Sequence, residues 1–402
     1  MAAKGGVDMY WVGFDVGKAF HWMCVLDGEG KVILSRRVDA TEDQMEAALS
    51  EIAALGTIEE RMVGIDIVGG PATLLEALLL ANSERVRYLP GIAVNRARDS
   101  YVGGERKSDP ADAYVIADQL RLRWRSLSKV CARDETLEEV KVLVSHRADL
   151  VQERVRRISR LRGLLAEVFP GMESTLDLRK QGPLLAVTKV ATPKAARRLG
   201  KARLARWLKT RGALKSNSLA ERIVDAAEQQ RHETPAAEVK ATLLAEIAAE
   251  ILRIGRRVDE LDSRLEELVE ADPRGAVVRS LPGMGLVLTA EFLAEIGDAS
   301  RFGSADRLAA AAGVVPVLRA SGKVSYQRRA RKGNRALKRV FYHSAFCALS
   351  CHGPSQEYYR RKRAEGKGTQ QAIIALARRR VNVLWAMLRD GAVYEDSSPM
   401  TT

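Results

Sequence analysis

The chain has 402 residues, which is enough for two or three domains and a substantial hydrophobic core. Hydrophobic residues make up 46% of it and charged residues 29%, a balance that excludes disorder throughout. The 65 Lys and Arg exceed the 51 Asp and Glu by 14, so we expect a polyanionic partner. Aromatic residues, at 5%, are too sparse for a protein that binds single strands mainly by stacking.

The cysteines and the apolar segments indicate the compartment. The four cysteines contain no C-x-x-C pair, and they are Cys24, Cys131, Cys347 and Cys351. A chain of this length does not need disulfides to fold, which favours a reducing cytosol. No apolar run approaches the length of a membrane span, and the N-terminus lacks an apolar signal core. We therefore expect a cytoplasmic protein with no membrane partner.

Residues 8–128 alternate short apolar runs with longer helical patterns, as α/β domains do. The predicted strands are residues 12–16, 21–26, 31–38, 61–67 and 86–89, and the predicted helices are residues 42–55 and 72–81. Asp27 and Gly28, followed by Glu29 and Gly30, predict a hairpin turn between the second and third strands. Three antiparallel strands followed by alternating helices and strands is the order of an RNase H-like fold with a mixed sheet.

Residues 135–272 contain two long helical patterns of coiled-coil type. Apolar residues recur in alternating steps of three and four over residues 137–168 and again over residues 244–268. This periodicity is equally compatible with an intramolecular antiparallel hairpin and with an oligomerisation stalk. Between the two patterns, residues 178–220 contain twelve Lys or Arg and no acid. This basic insertion favours nucleic-acid contact, and the alternative is a solvated helical face.

Residues 275–392 form a third, mostly helical region, and residues 393–402 are a Ser- and Thr-containing tail expected to be disordered. The segment 281–286 resembles a helix-hairpin-helix, in which Gly283 and Gly285 would aim backbone amides at a phosphate; the alternative is an ordinary interhelical turn. Residues 319–339 contain nine Lys or Arg and no acid. The predicted nucleic-acid-binding residues in and beside this run are Lys323, Arg328, Arg329, Arg331, Lys332, Asn334 and Arg335.

Four aspartates are candidates for metal chemistry. Asp15 and Asp66 each lie within an apolar run, where a carboxylate is costly unless a cation meets it. Adjacent strands would bring the two together, and their mutual repulsion calls for a divalent metal. Asp109 and Asp112 are three residues apart and share one face of any helix that begins there. The alternative for this pair is a helix start with Asp109 as N-cap and Asp112 at the third position.

Ser321 lies before Gly322 inside the second acid-free basic segment. A serine hydroxyl needs a base or a metal to activate it, and neighbouring Arg and Lys can stabilise the charge that develops on an attacked phosphate. On local sequence alone, the Ser-Gly pair predicts a turn.

Together these residues resemble the DEDD transposases of the insertion-sequence "one-ten" group, bridge-RNA-guided recombinases to which Piv-type DNA invertases are related. The resemblance covers nearly the whole chain. The matching strings are Gly13-Phe14-Asp15-Val16, Lys107-Ser108-Asp109 through Asp112-Ala113, Leu281-Pro282-Gly283-Met284-Gly285, Arg301-Phe302, Ala312-Gly313-Val314-Val315-Pro316, Ser321-Gly322-Lys323 and Lys332-Gly333-Asn334.

The resemblance implies a RuvC-like DEDD domain followed by long helices and a C-terminal transposase domain. It further implies Mg²⁺ held by four acidic positions, which are Asp15, Asp66, Asp109 and Asp112. Ser321 would attack DNA and form a covalent phosphoserine intermediate. The chain departs from the family pattern at Asp66, where Glu is usual. The Asp66 side chain is one methylene shorter than that of Glu. The implied partners are donor and target DNA, a structured bridge RNA and further copies of the chain, as a dimer or tetramer in the bacterial cytosol or nucleoid.

Three other functions account for part of the sequence. A metal-dependent nuclease or junction resolvase of RNase H-like fold would use water in place of Ser321. A non-catalytic nucleic-acid scaffold would use the carboxylates only to cap helices. An actin-like ATPase is suggested by glycine-containing strings after Asp15 and Asp66, but it leaves the two acid-free basic segments unexplained.

Overall fold

The computed structural model describes residues 9–101, 107–132, 134–297, 299–321, 324–328, 330, 333–351 and 353–395. The chain divides into two compact units, Met1–Arg133 and Asp134–Thr402. Over the described ranges, every helix is too short or too polar to cross a membrane.

The first unit contains a mixed sheet, and all five predicted strands are present within three residues of their predicted bounds. The strands are β1 (Tyr10–Val16), β2 (Phe20–Leu26), β3 (Val32–Asp39), β4 (Arg61–Ile65), β5 (Val86–Tyr88) and β6 (Ser128–Lys129). Their order is β3-β2-β1-β4-β5-β6, in which β1 runs parallel to β4 and β4 parallel to β5, while the other pairs are antiparallel. The short edge strand β6 was not predicted. In the predicted hairpin turn, the Asp27 carboxylate accepts hydrogen bonds from the backbone N–H groups of Glu29 and Lys31.

Helices cover both faces of this sheet. They are α1 (Glu42–Ala53), α2 (Thr73–Ala81), α3 (Gly91–Arg98) and α4 (Asp109–Arg123). Side chains alternate along a strand, so Phe14 packs in one core with α1 and α2, whereas Trp11 packs in a second core with α4. Gly13 and Gly64 are register partners on β1 and β4, and both lie directly beneath α4. The absence of a Cβ at these two positions allows α4 to approach the sheet closely.

The second unit is built on two long antiparallel helices, α5 (Glu135–Val168) and α11 (Ala237–Ala271). Arg264 near the end of α11 pairs with Glu139 near the start of α5 at 2.9 Å. Farther along, Arg157 of α5 pairs with Glu250 of α11. The two long helices therefore pair within the chain as an antiparallel hairpin, one of the two arrangements that the periodicity left open.

Five helices connect α5 to α11: α6 (Pro170–Thr175), α7 (Gln181–Lys189), α8 (Pro193–Leu199), α9 (Lys201–Lys209) and α10 (Ser216–Gln229). We call residues 170–236 the helical insertion. Its core packs against Leu161 of α5 and Leu244 of α11, and it includes Leu204 and Leu208 from the acid-free basic segment. Because these leucines are buried, the segment is part of a folded core and is more than a solvated helical face.

The remaining residues form a mostly helical layer around the other end of the helix pair. Its elements are α12 (Pro273–Ser280), α13 (Leu286–Ile296), α14 (Ala305–Ala311), β7 (Val317–Ser321), β8 (Val324–Arg328), α15 (Arg335–Cys347), α16 (Pro354–Ala364) and α17 (Thr369–Asp390). Phe292 and Phe341 meet edge to face at 5.8 Å in its core. The β7–β8 hairpin was not predicted. Of the tail predicted to be disordered, residues 396–402 lie outside the described residues, but Tyr394 donates its backbone N–H to the Ser280 hydroxyl.

Candidate functional site

Asp15 and Asp66 meet at one edge of the sheet in the first unit. β1 and β4 are parallel neighbours with Phe14 opposite Ile65, so the two aspartates that follow these residues come next in the same register. The backbone N–H of Val16 donates to the Asp66 carboxylate at 3.1 Å. Both side chains are partly buried. The strand pairing thus produces the proximity that the two apolar runs predicted.

Asp109 and Asp112 occupy the first turn of α4. An ideal Cβ on Gly13 would lie 2.3 Å from the Ala113 carbonyl oxygen, so this turn passes directly over β1. The N-cap position falls on Ser108, whose side chain makes no capping hydrogen bond. The expectation that Asp109 is the N-cap is therefore wrong by one residue, because Asp109 already has helical geometry. Close packing at Gly13 brings the start of α4 toward the two strand aspartates.

The four carboxylates interact electrostatically. Burial, followed by the negative charges of Asp66, Asp112 and Asp109, raises the pKa of Asp15 to about 7, and Lys107 opposes this shift. Burial is also the main cause of the raised pKa of Asp66, which the hydrogen bond from Val16 opposes. Like charges that share a desolvated site disfavour ionisation, and a cation removes that penalty. We call Asp15, Asp66, Asp109 and Asp112 the acidic cluster.

One cation already contacts the acidic cluster. Arg98, the last residue of α3, donates from its guanidinium to the Asp112 carboxylate at 2.5 Å, and both side chains are largely buried. The Arg98 Nε is buried without a partner. Arg98 was not predicted from the sequence, since it lies fourteen positions before Asp112 on a different helix and no spacing rule connects the two.

The donor set of the acidic cluster suits a hard divalent cation, because all four side chains offer carboxylate oxygens. The arrangement seen here is an ion-paired one. Among the described residues, no three His, Cys, Asp or Glu side chains stand close enough together to hold a metal ion. Asp112 points to Arg98 instead, so metal binding by the full set requires Asp112 to leave this arginine.

A cavity of about 270 Å³ opens beside the acidic cluster and gives it access to solvent. Asp15 and Asp109 line it together with Lys18, an exposed cation in the turn between β1 and β2. A lysine at this position could contact a phosphate that approaches the carboxylates. Lys18 was not predicted from the sequence, although its place three residues after Asp15 was a usable signal.

Ser321 lies in the second unit, at the end of β7, where its backbone pairs with Val324 of β8. The turn that the local sequence predicted for the Ser-Gly pair involves Gly322, which lies outside the described residues. Arg328, on β8, pairs with Val317 at the other end of the hairpin and is partly buried. Four of the predicted nucleic-acid-binding residues lie outside the described residues, and they are Lys323, Arg329, Arg331 and Lys332.

Asn334 and Arg335 occupy the start of α15. The Asn334 side-chain oxygen accepts the Leu337 N–H as an N-cap, and its amide nitrogen donates to Glu295 at 2.5 Å. Both polar ends of Asn334 therefore have intramolecular partners, which assigns it a structural role in addition to the predicted DNA contact. Arg335 is exposed.

The segment with Gly283 and Gly285 forms the turn between α12 and α13. Gly283 has a φ of 83°, and a Cβ there would lie 2.5 Å from the Ser344 carbonyl oxygen of α15. Gly283 is thus required by backbone geometry and by close packing. Gly285 is the N-cap of α13, and a Cβ there would meet nothing within 4 Å, so only this second glycine faces open space.

Comparison with known families gives matches at both ends of the chain. A DEDD-type model described as "Transposase" matches residues 12–170, and the model "Transposase IS116/IS110/IS902 family" matches residues 275–360. These two ranges contain every residue of the acidic cluster and Ser321.

Curated relatives match over most of the chain. The "Insertion element IS116 uncharacterized 44.8 kDa protein" of Streptomyces clavuligerus is 40% identical over 98% of both chains, and the "Insertion element IS900 uncharacterized 42 kDa protein" of Mycobacterium paratuberculosis is 39% identical over the same shares. The "Pilin gene-inverting protein" of Moraxella bovis is 27% identical over 34% of this chain and 45% of its own length. The chain therefore belongs to the IS110/IS116/IS902 family of transposases and is a DNA transposase or recombinase.

Proposed function

We propose that this transposase is an RNA-guided DNA recombinase in which the acidic cluster binds Mg²⁺ and Ser321 becomes covalently linked to DNA. The observation that carries the proposal is the placement of four aspartates at one edge of the sheet, where burial, followed by the charges of Asp66, Asp112 and Asp109, raises the pKa of Asp15 to about 7. The order of the first five strands also supports an RNase H-like, RuvC-like domain.

The metal would be held by the acidic cluster after Asp112 leaves Arg98. Bound Mg²⁺ would polarise the scissile phosphate and lower the pKa of a nearby hydroxyl. Asp15 lies on β1 and Asp66 directly follows β4, so the sheet positions both, whereas Asp109 and Asp112 come from the first turn of α4. Arg98, once released, would retain its charge close to the site and could balance a phosphate.

Ser321 would act as the nucleophile. Its Oγ–P bond forms while the bond between phosphorus and one deoxyribose oxygen breaks, and the hydroxyl proton is lost to solvent as the leaving oxygen gains one. Such an enzyme-linked phosphodiester preserves the bond energy needed for rejoining without ATP. The basic residues near the hairpin would bind the DNA backbone, and Gly285 at the start of α13 would offer its amide to a phosphate.

Denaturing electrophoresis after incubation with cognate DNA and Mg²⁺ tests the nucleophile. We expect a protein–DNA adduct that disappears in Ser321→Ala. Ser325→Ala is the matched control, because Ser325 is an exposed serine on the other strand of the same hairpin. Loss of the adduct in both variants, or its persistence in Ser321→Ala, would contradict the assignment.

The second candidate function is a nuclease or resolvase that uses water, and it is favoured by the grouping of all four aspartates in the first unit. This enzyme would cleave DNA without an adduct, and Ser321→Ala would leave its rate unchanged. Asp15→Asn should abolish cleavage in either case. Intact recombination in Asp15→Asn would support the non-catalytic scaffold instead.

The proposed oligomer, a dimer or tetramer, can be tested by mixing two inactive variants. Asp15→Asn retains Ser321, and Ser321→Ala retains the acidic cluster. If subunits share active sites, the mixture forms some complete sites and regains the adduct. If each chain supplies a whole site, the mixture stays as inactive as either variant alone.

The proposed nucleic-acid partners are donor DNA, target DNA and a structured bridge RNA in the bacterial cytosol. Support for RNA comes from the family resemblance and from the net charge of +14. The name of the Moraxella relative, a pilin gene-inverting protein, supports recombination of DNA. Purification from the native host followed by sequencing of retained RNA should recover one abundant structured species; recovery of bulk ribosomal fragments alone would oppose RNA guidance.

A further inference from the structure

The helical insertion carries a basic surface that the proposed chemistry does not use. Residues 170–236 contain fourteen Lys and Arg against six Asp and Glu. Several of the acids are already neutralised by neighbours, as in the pairs Asp177 with Arg179 and Asp225 with Lys201. The surplus positive charge is therefore concentrated on the remaining cations.

These cations lie along α9 and the turn that follows it. We call them the basic edge, and they are Arg203, Arg206, Lys209, Arg211 and Lys215. All five are exposed, and within the described residues none of them forms an ion pair. Leu204 and Leu208 are fully buried on the opposite face of α9, so the core of the insertion holds the basic edge toward solvent.

A hydrophobic side chain projects from the same turn. Leu214 is 88% exposed, the highest value among the exposed large hydrophobic side chains of the described residues, and it lies between Arg211 and Lys215. Gly212 has a φ of 77° and Lys215 a φ of 52°, so left-handed residues shape the turn on both sides of Leu214. Ala213 is buried and anchors the turn to the core. The leucine is thus presented by an anchored turn.

The insertion has little capacity to stack bases. Trp207 is the single aromatic residue among Phe, Tyr and Trp in residues 170–236. The Arg211 guanidinium lies 4.1 Å from its ring centroid and the Lys189 ammonium 5.8 Å from it. Single-strand binders depend on free aromatic faces, so this surface is poorly suited to single strands.

We propose that the helical insertion binds double-stranded DNA, with the basic edge on the phosphate backbone and Leu214 inserted at a base step from the minor groove. Cations spaced along one side of a helix can contact successive phosphates of a duplex. Proteins that bend DNA insert an apolar side chain between base pairs and place cations beside it, as Leu214 and its neighbours are placed here. Duplex RNA is less suited, because its shallow A-form minor groove is recognised mainly through 2′-hydroxyl and phosphate contacts. Equilibrium binding of DNA by this surface requires neither Mg²⁺ nor Ser321.

The backbone contacts are tested with the full chain and a short fluorescein-labelled DNA duplex of mixed sequence, by anisotropy over a range of salt concentrations without Mg²⁺. The variant Arg203→Gln/Arg206→Gln/Lys209→Gln should reduce the slope of log K against log salt by about 3 × 0.9, or roughly 2.7. The control Arg253→Gln/Arg256→Gln/Arg257→Gln removes equal charge from exposed positions of α11, where acids are interspersed. It should retain the wild-type slope. Equal slopes for wild type and the α9 variant, or an equal loss in both variants, would overturn the proposal.

The wedge is tested separately with Leu214→Ala. Energy transfer between dyes at the two ends of the duplex should report a smaller bend, and affinity should fall while the salt slope stays unchanged. Val239→Ala, a truncation of a 66% exposed side chain on α11, is the matched control and should leave the bend unchanged. Wild-type bending by Leu214→Ala would refute the wedge. Stronger binding of a matching RNA duplex or single strand than of DNA would refute duplex DNA as the partner.

Discussion

Gly13→Ala should separate α4 from the sheet and divide the acidic cluster. A Cβ at this position would lie 2.3 Å from the Ala113 carbonyl oxygen and 2.6 Å from the Ala117 nitrogen. Non-bonded carbon contacts lie near 3.5–4.0 Å, so α4 must retreat by about 1 Å. Overpacking of this kind costs about 1–3 kcal/mol. We expect the upper part of that range, because both obstructing atoms belong to a helix backbone and cannot rotate away.

Hydrogen exchange measured by mass spectrometry on α4 peptides tests this expectation, together with DNA cleavage in Mg²⁺. Exchange in α4 should accelerate and cleavage should fall, because Asp109 and Asp112 move with the helix. Gly91→Ala is the control, since a Cβ there would meet nothing within 4 Å, and it should behave as wild type. Unchanged α4 exchange and unchanged cleavage in Gly13→Ala would refute the packing argument.

Three further outcomes are expected. Arg98→Met leaves buried Asp112 without its cation, and removal of one member of a buried pair costs about 3–5 kcal/mol. The melting temperature should fall in the absence of Mg²⁺ and recover when Mg²⁺ is added. An unchanged melting temperature would contradict this role of Arg98. The pKa of Asp15 is raised from 3.8 to about 7. Between these two pH values Asp15 is protonated in the folded chain and ionised in the unfolded chain. The free energy of unfolding should therefore decrease as pH rises from about 4 to about 7. Melting curves without metal should therefore show Asp15→Asn to be more stable than wild type above pH 7, and the reverse order would oppose the shift. Arg380→Met leaves the partly buried Pro282 carbonyl and the buried Ser344 hydroxyl without their donor, and urea unfolding should show a loss of about 1–3 kcal/mol for the buried group. Arg379→Met at the exposed neighbouring position should leave urea unfolding unchanged.

The sheet was predictable because its signals are local. Alternation and apolar runs placed β1 to β5, and the Asp27-Gly28 turn placed the β2–β3 hairpin. The strand β6 has only two residues, which is too few for a periodic signal. It is recognised as a strand because it pairs with β5. The β7–β8 hairpin was missed for a related reason, since each of its strands has only five residues and carries a weak periodic signal.

The candidate site was only partly predictable. Aspartates in apolar strands and at a helix start are visible in the sequence, and so the four acids could be proposed as a group. Arg98 could not, because its contact with Asp112 depends on the angle at which α3 meets α4. Gly283 was predicted from a local motif to contact a phosphate. In the structure, the position of its missing Cβ lies against the backbone of α15, a contact that no local motif indicates.

Periodicity and composition alone determined strands β1 to β5, the two long helices, the basic character and the chain positions of the acids, since each depends on neighbouring residues. The tertiary structure decided which groups meet. Gly13 and Gly64 admit α4 to the sheet, Arg98 neutralises Asp112, and buried leucines turn the cations of α9 outward. Contacts of this kind join residues far apart in the chain, and only the packing of the elements sets the distances between them.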